Sequence, residues 1–408
     1  MKVTLLACIG LASFAQALEV HEWGTFTVLS GSNGMQVPWY AGNEDLAGLP
    51  EFVSKPMLGK SGFAKIRMET PVIYFYPEKE MGISVEVSFA DGRISETFPH
   101  SSGEVGFDLE TNMISAPGKW TGRLHPPTDR AALAEIPAIP DSIHSEPYGA
   151  AREVPDAWIF ESDLKEIPGL QVQPHFPQME KFIFYRGAGN ADLPIYASMY
   201  GDSVTVLNNS ENTIPTGVAL RVRAGKASWV SVSKLAGRPS NGESAMNLSR
   251  ITFPKPDRPL DEVESELAEV WKKALASEGL TPAEASAMVE TWRKTWFRES
   301  GDRILTLVPQ QVTDAMLPLK ITPAPEKTTR VFVARFEMVS PEREEALVGL
   351  LNSSTSAGKE EFAKLNELEL GRFGNGAMEV AFQLQKNRMS RKFHALKEFG
   401  ENQKTSGR

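Results

Sequence analysis

Three glutamates in this chain occupy strand positions where water-seeking side chains are out of place. In the run from Val20, residues Val20, Glu22, Phe26 and Val28 share one side of an extended strand, with His21 and Trp23 on the other. Glu69 stands just before the apolar run Val72 to Tyr76. The third is Glu96. Asp91-Gly92 supplies two residues that accept positive φ, and a two-residue turn there pairs Phe89 with Ile94, Val87 with Glu96 and Val85 with Phe98. Glu96 then falls on the apolar face, between Ile94 and Phe98. An apolar setting pushes a carboxyl towards its neutral form. A raised carboxyl beside an ionised one is the pair that glycosidases use as acid and base. Glu22, Glu69 and Glu96 are therefore the candidate acid, base or ligand groups of a hydrolase. A structural reading competes with this one. The same glutamates can lie at sheet ends or pair with Arg67, Arg186 or Arg221, and a bulge that shifts the register by one turns Glu96 outward.

None of the six histidines stands at ligand spacing from another. His21 and His175, with Glu22, can form a metal site only if the fold brings distant segments together; a hydrogen-bonded structural or surface histidine is the simpler account of each. Trp39 and Tyr40 lie in the Gly31 to Pro50 stretch, rich in Gly, Asn and Pro. There they serve either as flat platforms for sugar rings or as a plug folded back on the core. Arg186 follows an apolar run and precedes Gly187, a place for an anionic ligand group or for a structural ion pair. Glu290, Arg293, Lys294, Arg298, Glu299 and Arg303 read as a solvated face with local ion pairs.

The usual signatures are missing. His21-Glu22 lacks the second histidine of a zinc-protease helix, and Gly59-Lys60-Ser61 lacks the first glycine of a phosphate loop. Ser231 to Lys234 has S-x-x-K spacing without its partner motifs, and no G-x-S-x-G occurs. No motif names a cofactor. The only cysteine, Cys8, lies in an N-terminal segment that reads as a secretory signal: Lys2, an apolar stretch from Val3 to Phe14, and Ala15-Gln16-Ala17 as the cleavage site. Cleavage after Ala17 leaves a cysteine-free chain, which excludes a thiol nucleophile, thiolate metal sites and dithiol redox chemistry. The expected location is the periplasm or the medium. No segment has the roughly 20 apolar residues of a membrane span. Nearly all of the net charge of −9 lies before residue 255, and an acidic body argues against nucleic acid as a partner.

The elements that must position these residues change character near Pro254-Lys-Pro-Asp-Arg-Pro259. Before it, alternation such as Ile83, Val85, Val87, Phe89 and runs such as Val72 to Tyr76 and Phe182 to Tyr185 indicate strands, the runs being buried on both faces. Ser203 to Leu207, Val218 to Arg223 and Ser228 to Ser233 add more. After it, Val263, Leu267, Val270, Trp271 and Ala274 make a helical stripe behind a capping-box pattern at Asp261 and Glu264. Thr281-Pro-Ala-Glu284 starts a second helix, lined by Met288, Val289, Trp292 and Trp296. Strand-like runs follow at 304–308 and 331–336, then helices over 341–351, 360–370 and 378–399. The expected fold is α+β: a signal over 1–17, a β-sandwich-like part over 18–254, and a helix-rich region over 255–408 whose two strands are free to join the first sheet.

The segments His21-Glu-Trp-Gly-Thr-Phe-Thr27, Met68-Glu-Thr-Pro-Val72, Phe184-Tyr-Arg-Gly187, Glu290-Thr-Trp-Arg293 and Arg330-Val-Phe-Val-Ala-Arg335 resemble those of a group of uncharacterised exported bacterial proteins of planctomycete or verrucomicrobial type. The resemblance implies export and carries no catalytic residue with it. Two classes of function follow. One is an exported binding protein whose partner is a polysaccharide or cell-envelope polymer. The other is an extracytoplasmic hydrolase built on the carboxylates or on a His/Glu metal site.

Overall fold

The apolar runs that read as doubly buried strands form the centre of a ten-stranded sheet. The computed structural model describes residues 17–39, 49–54, 64–89, 91–103, 106–108, 113–115, 117–139, 147–167, 173–239, 247–352, 368, 370–374, 376–383 and 385–386. Strands β1–β20 are numbered along the chain. The large sheet runs β17 (Arg258–Pro259), β15 (Lys226–Val232), β14 (Gly217–Arg223), β18 (Gly301–Val308), β20 (Lys327–Met338), β1 (Leu18–Ser30), β3 (Ile66–Pro77), β11 (Ile183–Gly189), β5 (Gly92–Phe98), with β2 (Gln36–Val37) on the end of β1. Only β1 and β20 among the pairs with β1 and β3 run parallel; β1 lies antiparallel to β3. Strands from after residue 255 thus sit beside the first strand of the chain. The change at residue 255 is one of composition, within a sheet shared by both parts.

Two smaller sheets cover one face. They are β10 (Met179–Glu180), β9 (Ile159–Ser162), β8 (Gly118–His125), β4 (Met81–Val87), β19 (Leu319–Thr322), and β12 (Ile195–Tyr200), β13 (Ser203–Asn208), β16 (Asn247–Thr252). A two-stranded ribbon joins β6 (Gly106–Asp108) to β7 (Met113–Ser115). Val20, Phe26, Ile73 and Phe332 of the large sheet meet Ile83, Val85, Trp120, Ala197 and Val206 of the small ones in a single core. This is the sandwich part of an α+β fold. On the opposite face, helices α3 (Leu260–Ser277) and α4 (Pro282–Arg293) bury Leu267, Trp271, Met288 and Trp292 against Trp23, Tyr74, Leu305 and Val333. A π-turn over Lys294–Arg298 then adds Trp296. Further helices are α1 (Arg130–Glu135), α2 (Pro147–Ala150), α5 (Gln310–Met316) and α6 (Pro341–Asn352), with a 3-10 turn over Gly371–Phe373 and helical residues at 376–383. None of the described helices is long and apolar enough to cross a membrane.

Several local expectations change. Asp91 has a positive φ and Gly92 N–H bonds Phe89 O, so the chain turns where expected. The strands on either side do not pair: β4 joins the small sheet through β8 and β19, and β5 pairs with β11. Phe98 enters the helix-side core and Ile94 the sandwich core, because the register is irregular between them. Glu96 is therefore not flanked on one face by those two residues. At α3 the cap is Pro259 without a side-chain bond, and Glu264 instead accepts from Arg293 at 2.6 Å and from Arg298. Thr281 and Glu284 do form a capping box. The predicted helix over 360–370 lies outside the described residues apart from 368 and 370; of that over 378–399, residues 378–383 and 385–386 are described and are helical.

Four of the quoted motifs meet in the middle of the large sheet. The β1–β3 pairing shifts between Trp23 and Thr25, opposite Thr70 and Pro71, and Thr70 has φ of 47°. The β3–β11 register slips between Phe184 and Gly187, beside the same stretch. Gly24 is required there, since a Cβ would stand 2.8 Å from the Phe332 ring and 3.1 Å from Pro71 Cα. A bulge of this kind re-aims the side chains beside it.

Candidate functional site

The parallel register of β1 and β20 sets Glu22 directly opposite Arg330. Arg330 Nε donates to Glu22 Oε2 at 2.5 Å, and the Tyr185 hydroxyl from β11 donates to Oε1. Arg330 Nη1 continues to Asp314 at 2.8 Å. Glu22 is 0% exposed. Burial, with the Glu22 charge beside it, pushes the Tyr185 phenol up, which keeps it a donor. Burial works against the Arg330 charge, but Glu22 outweighs it and raises the guanidinium further. Both carboxylate oxygens are occupied in a dry interior, so Glu22 is one half of a structural ion pair.

Glu69 lies on the other side of the sheet. It stands opposite Thr25, while Thr27 stands between Arg67 and Arg335. Arg372 binds Glu69 through both nitrogens, at 2.7 and 3.2 Å. Burial pushes the Glu69 carboxyl up, yet Arg372, with Arg67 and Arg335 behind it, holds it down at about 2. Beside it Arg335 Nη2 donates to Glu299 at 2.5 Å and Glu337 at 2.8 Å, and Arg303 Nε donates to Glu337 at 3.0 Å. Arg303 is 0% exposed and belongs to this buried array, with Glu299 as its partly exposed rim, and not to a solvated face. The array holds unspent capacity: among the described residues, Arg335 Nη1 and the hydroxyls of Thr25 and Thr27 are buried with no bond.

Trp39 is 1% exposed and packs 4.9 Å from the Phe373 ring, with the guanidinium groups of Arg67 and Arg372 over it at 5.8 and 5.4 Å. It is the plug, and burial removes it as a platform for sugar. Tyr40 lies outside the described residues. Arg186 is buried over the Phe184 ring and reaches Thr70 Oγ1 at 3.4 Å. Glu96 is buried and accepts from the Ser95 hydroxyl.

His21 is buried, and its Nδ1 meets Glu284 at 2.9 Å. Glu284 also accepts from the Tyr76 hydroxyl at 2.7 Å and from Thr281 N–H at 2.7 Å. One carboxylate therefore closes the α4 cap and pins that helix to β1 and β3. Burial pushes Glu284 up, but the bond to His21 and those from Thr281 and Tyr76 bring it below the usual range. The side chain of His175 is 77% exposed, 3.2 Å from Glu135. The two histidines have separate partners, and no group of three His, Cys, Asp or Glu among the described residues is arranged to hold a metal.

A cleft of about 180 Å³ opens elsewhere, on the small sheet. Lys119, Trp120 and Thr121 of β8 form one side, Ser162, Asp163 and Leu164 at the end of β9 another, and His100 and Ser102 after β5 the third. Two backbone bonds and one from a side chain hold the walls: Asp163 N–H to Thr121 O at 2.8 Å, Ser102 N–H to Lys119 O at 2.8 Å, and the Trp120 indole Nε1–H to Pro99 O at 2.8 Å. Gln178 accepts from the His100 backbone N–H at 2.7 Å, and its amide nitrogen lies 2.7 Å from Nδ1. Gln178 Oε1 also lies 3.0 Å from Nδ1, so Gln178 holds the Nδ1 side of the ring and leaves Nε2 turned from it. Burial lowers the His100 pKa, so the ring is neutral at pH 7. Lys119 is half exposed, 3.7 Å from Glu86. Sequence reading missed all of these residues. Their spacing carries no signal, because three separate elements supply them.

No family model matches the chain, and no protein of curated function is similar to it in sequence. Among solved structures it overlaps the Fcho1 mu homology domain of Danio rerio with bound Eps15 peptide, at 7% identity and a TM-score of 0.31, covering 80% of this chain and 99% of that one. It also overlaps the yeast delta-COP-I mu-homology domain, at 6% identity and a TM-score of 0.25, covering 80% and 97%. Scores this low do not define a common fold.

Proposed function

We propose that this is an exported binding protein whose partner is a carbohydrate or a cell-envelope polymer, and that Glu22, Glu69 and Glu96 are not the acid and base of a hydrolase. One observation carries the second half: Glu22 and Glu69 are each engaged by an arginine, on opposite sides of one sheet. A glycosidase needs its two carboxyl groups facing each other across the scissile bond, roughly 5–10 Å apart, with one of them raised in pKa. Glu69 is instead held at about 2. The signal-like N-terminus and the acidic, cysteine-free body support an extracytoplasmic site of action. What supports a binding role is the hydroxyl-lined cleft beside Trp120. The test uses the purified protein on a glycan array, with release of reducing ends measured on every glycan retained. Retention without release is expected. Release of reducing ends by the wild-type protein, lost in Glu69→Gln, refutes the reading.

A further inference from the structure

We infer that the cleft between His100, Lys119 and Asp163 is a subsite for one uncharged sugar ring; the inference rests on the carbohydrate-binding reading above. Size comes first. At about 180 Å³ the cleft is smaller than the roughly 300–1,000 Å³ of sites that enclose a drug-sized molecule. It holds one ring of a longer chain and leaves the neighbours in solvent through its open side.

Charge selects the class. Burial favours the neutral His100 ring, and its Nε2, which no described residue engages, donates or accepts according to the tautomer. The Lys119 charge already faces Glu86 across the β4–β8 pair, and Asp163 adds a negative charge of its own. The surroundings therefore offer an anion no net attraction, and a ligand carboxylate or sulfate would meet Asp163 and Glu86. A neutral ring with several hydroxyl groups fits what is present. Asp163 accepts from two of them, Lys119 donates to another, and His100 Nε2 and the Thr121 hydroxyl do either, while the Ser162 hydroxyl, which already accepts from Leu164 N–H, is left to donate. Trp120 is buried beneath the Pro99 carbonyl and cannot present an open face, so hydrogen bonds rather than ring stacking carry the affinity.

Isothermal titration of the whole protein with neutral gluco-, xylo- and N-acetylglucosamine oligomers, and with oligogalacturonate as the anionic counterpart, tests this. At least one neutral series should bind, and the uronate should bind more weakly or not at all. Asp163→Ala should weaken binding roughly tenfold or more, as expected for loss of a charged acceptor, and Thr121→Val by a smaller factor. Both side chains are exposed, and a circular dichroism melt checks that each variant is folded. If neutral oligomers bind wild type and both variants equally, the carbohydrate reading survives and this subsite is wrong. Tighter binding of the uronate also overturns the subsite. Binding of none of these oligomers, nor of any array glycan, ends both readings together.

Discussion

Replacing Glu69 by Gln removes one carboxylate from the buried arginine array, and the cost should depend on pH in a defined way. Glu69 is held at about 2 in the fold against an ordinary 4.5. That difference corresponds to about 3 kcal/mol of stability at pH 7. Leaving Arg372, Arg67 and Arg335 with one carboxylate fewer brings the expected cost to roughly 3–5 kcal/mol. The sign follows from proton uptake. Between pH 4.5 and 2 the unfolded chain has bound the Glu69 proton and the native protein has not, so acid favours unfolding. The Glu69 contribution is complete above pH 4.5 and fades as pH falls towards 2. Urea unfolding of wild type and Glu69→Gln, followed by circular dichroism at steps from pH 7 to 2.5, isolates this group, since the other carboxylates titrate in both proteins. The gap should narrow steadily below pH 4.5. A gap under about 1 kcal/mol at pH 7, or one that stays constant through the acid range, would show that Glu69 is not an ionised partner of Arg372. Adding Arg372→Met to Glu69→Gln should cost much less than Arg372→Met alone, because the two act as a unit.

Three further outcomes are expected. Glu22→Gln and Arg330→Met should each destabilise by about 3–5 kcal/mol, and the double variant by less than their sum, read from the same urea curves. Gly24→Ala places a methyl against the Phe332 ring and Pro71, and should cost about 1–3 kcal/mol, read as a lowered denaturant midpoint. Thr281→Ala removes a formed helix cap and should cost about 1 kcal/mol, whereas Asp261→Ala, at a start that uses no side-chain cap, should stay within about 0.5 kcal/mol.

What could be read from the sequence was whatever local periodicity or local chemistry decides. The hairpin of α3 and α4 follows from its apolar stripe and from the Thr281 cap. Val72 to Tyr76 and Phe182 to Tyr185 are buried on both faces, as continuous apolar runs require. The sites of chain reversal were also legible, including Asp91. Which strand receives the chain afterwards was not: a turn specifies reversal, and β5 is claimed by β11 because Phe98 packs under the helices. The Asp261–Glu264 pattern failed for a related reason. Glu264 is worth more to Arg293 and Arg298 than to the end of its own helix.

The placement of carboxylates shows the same division. That Glu22 and Glu69 are withdrawn from water was legible from their apolar neighbours. Whether a withdrawn carboxyl is poised for proton transfer or locked in a salt bridge depends on its partner, and those partners are Arg330 and Arg372, about 300 residues away along the chain. The pattern of alternating apolar residues is identical in the two cases, and only the pairing of β1 with β20 and the return of the chain near residue 372 separate them. Gly24, Thr70-Pro71 and Gly187 meet at one irregularity of the sheet, with Glu22–Arg330 on one side and Glu69–Arg372 on the other. Unusual residue choices at such a point follow from close backbone approach and from charges that need partners in a dry interior. Chemistry aimed at a ligand is better sought where side chains keep free capacity and solvent reaches them, and on this chain the cleft of His100, Thr121 and Asp163 meets both conditions.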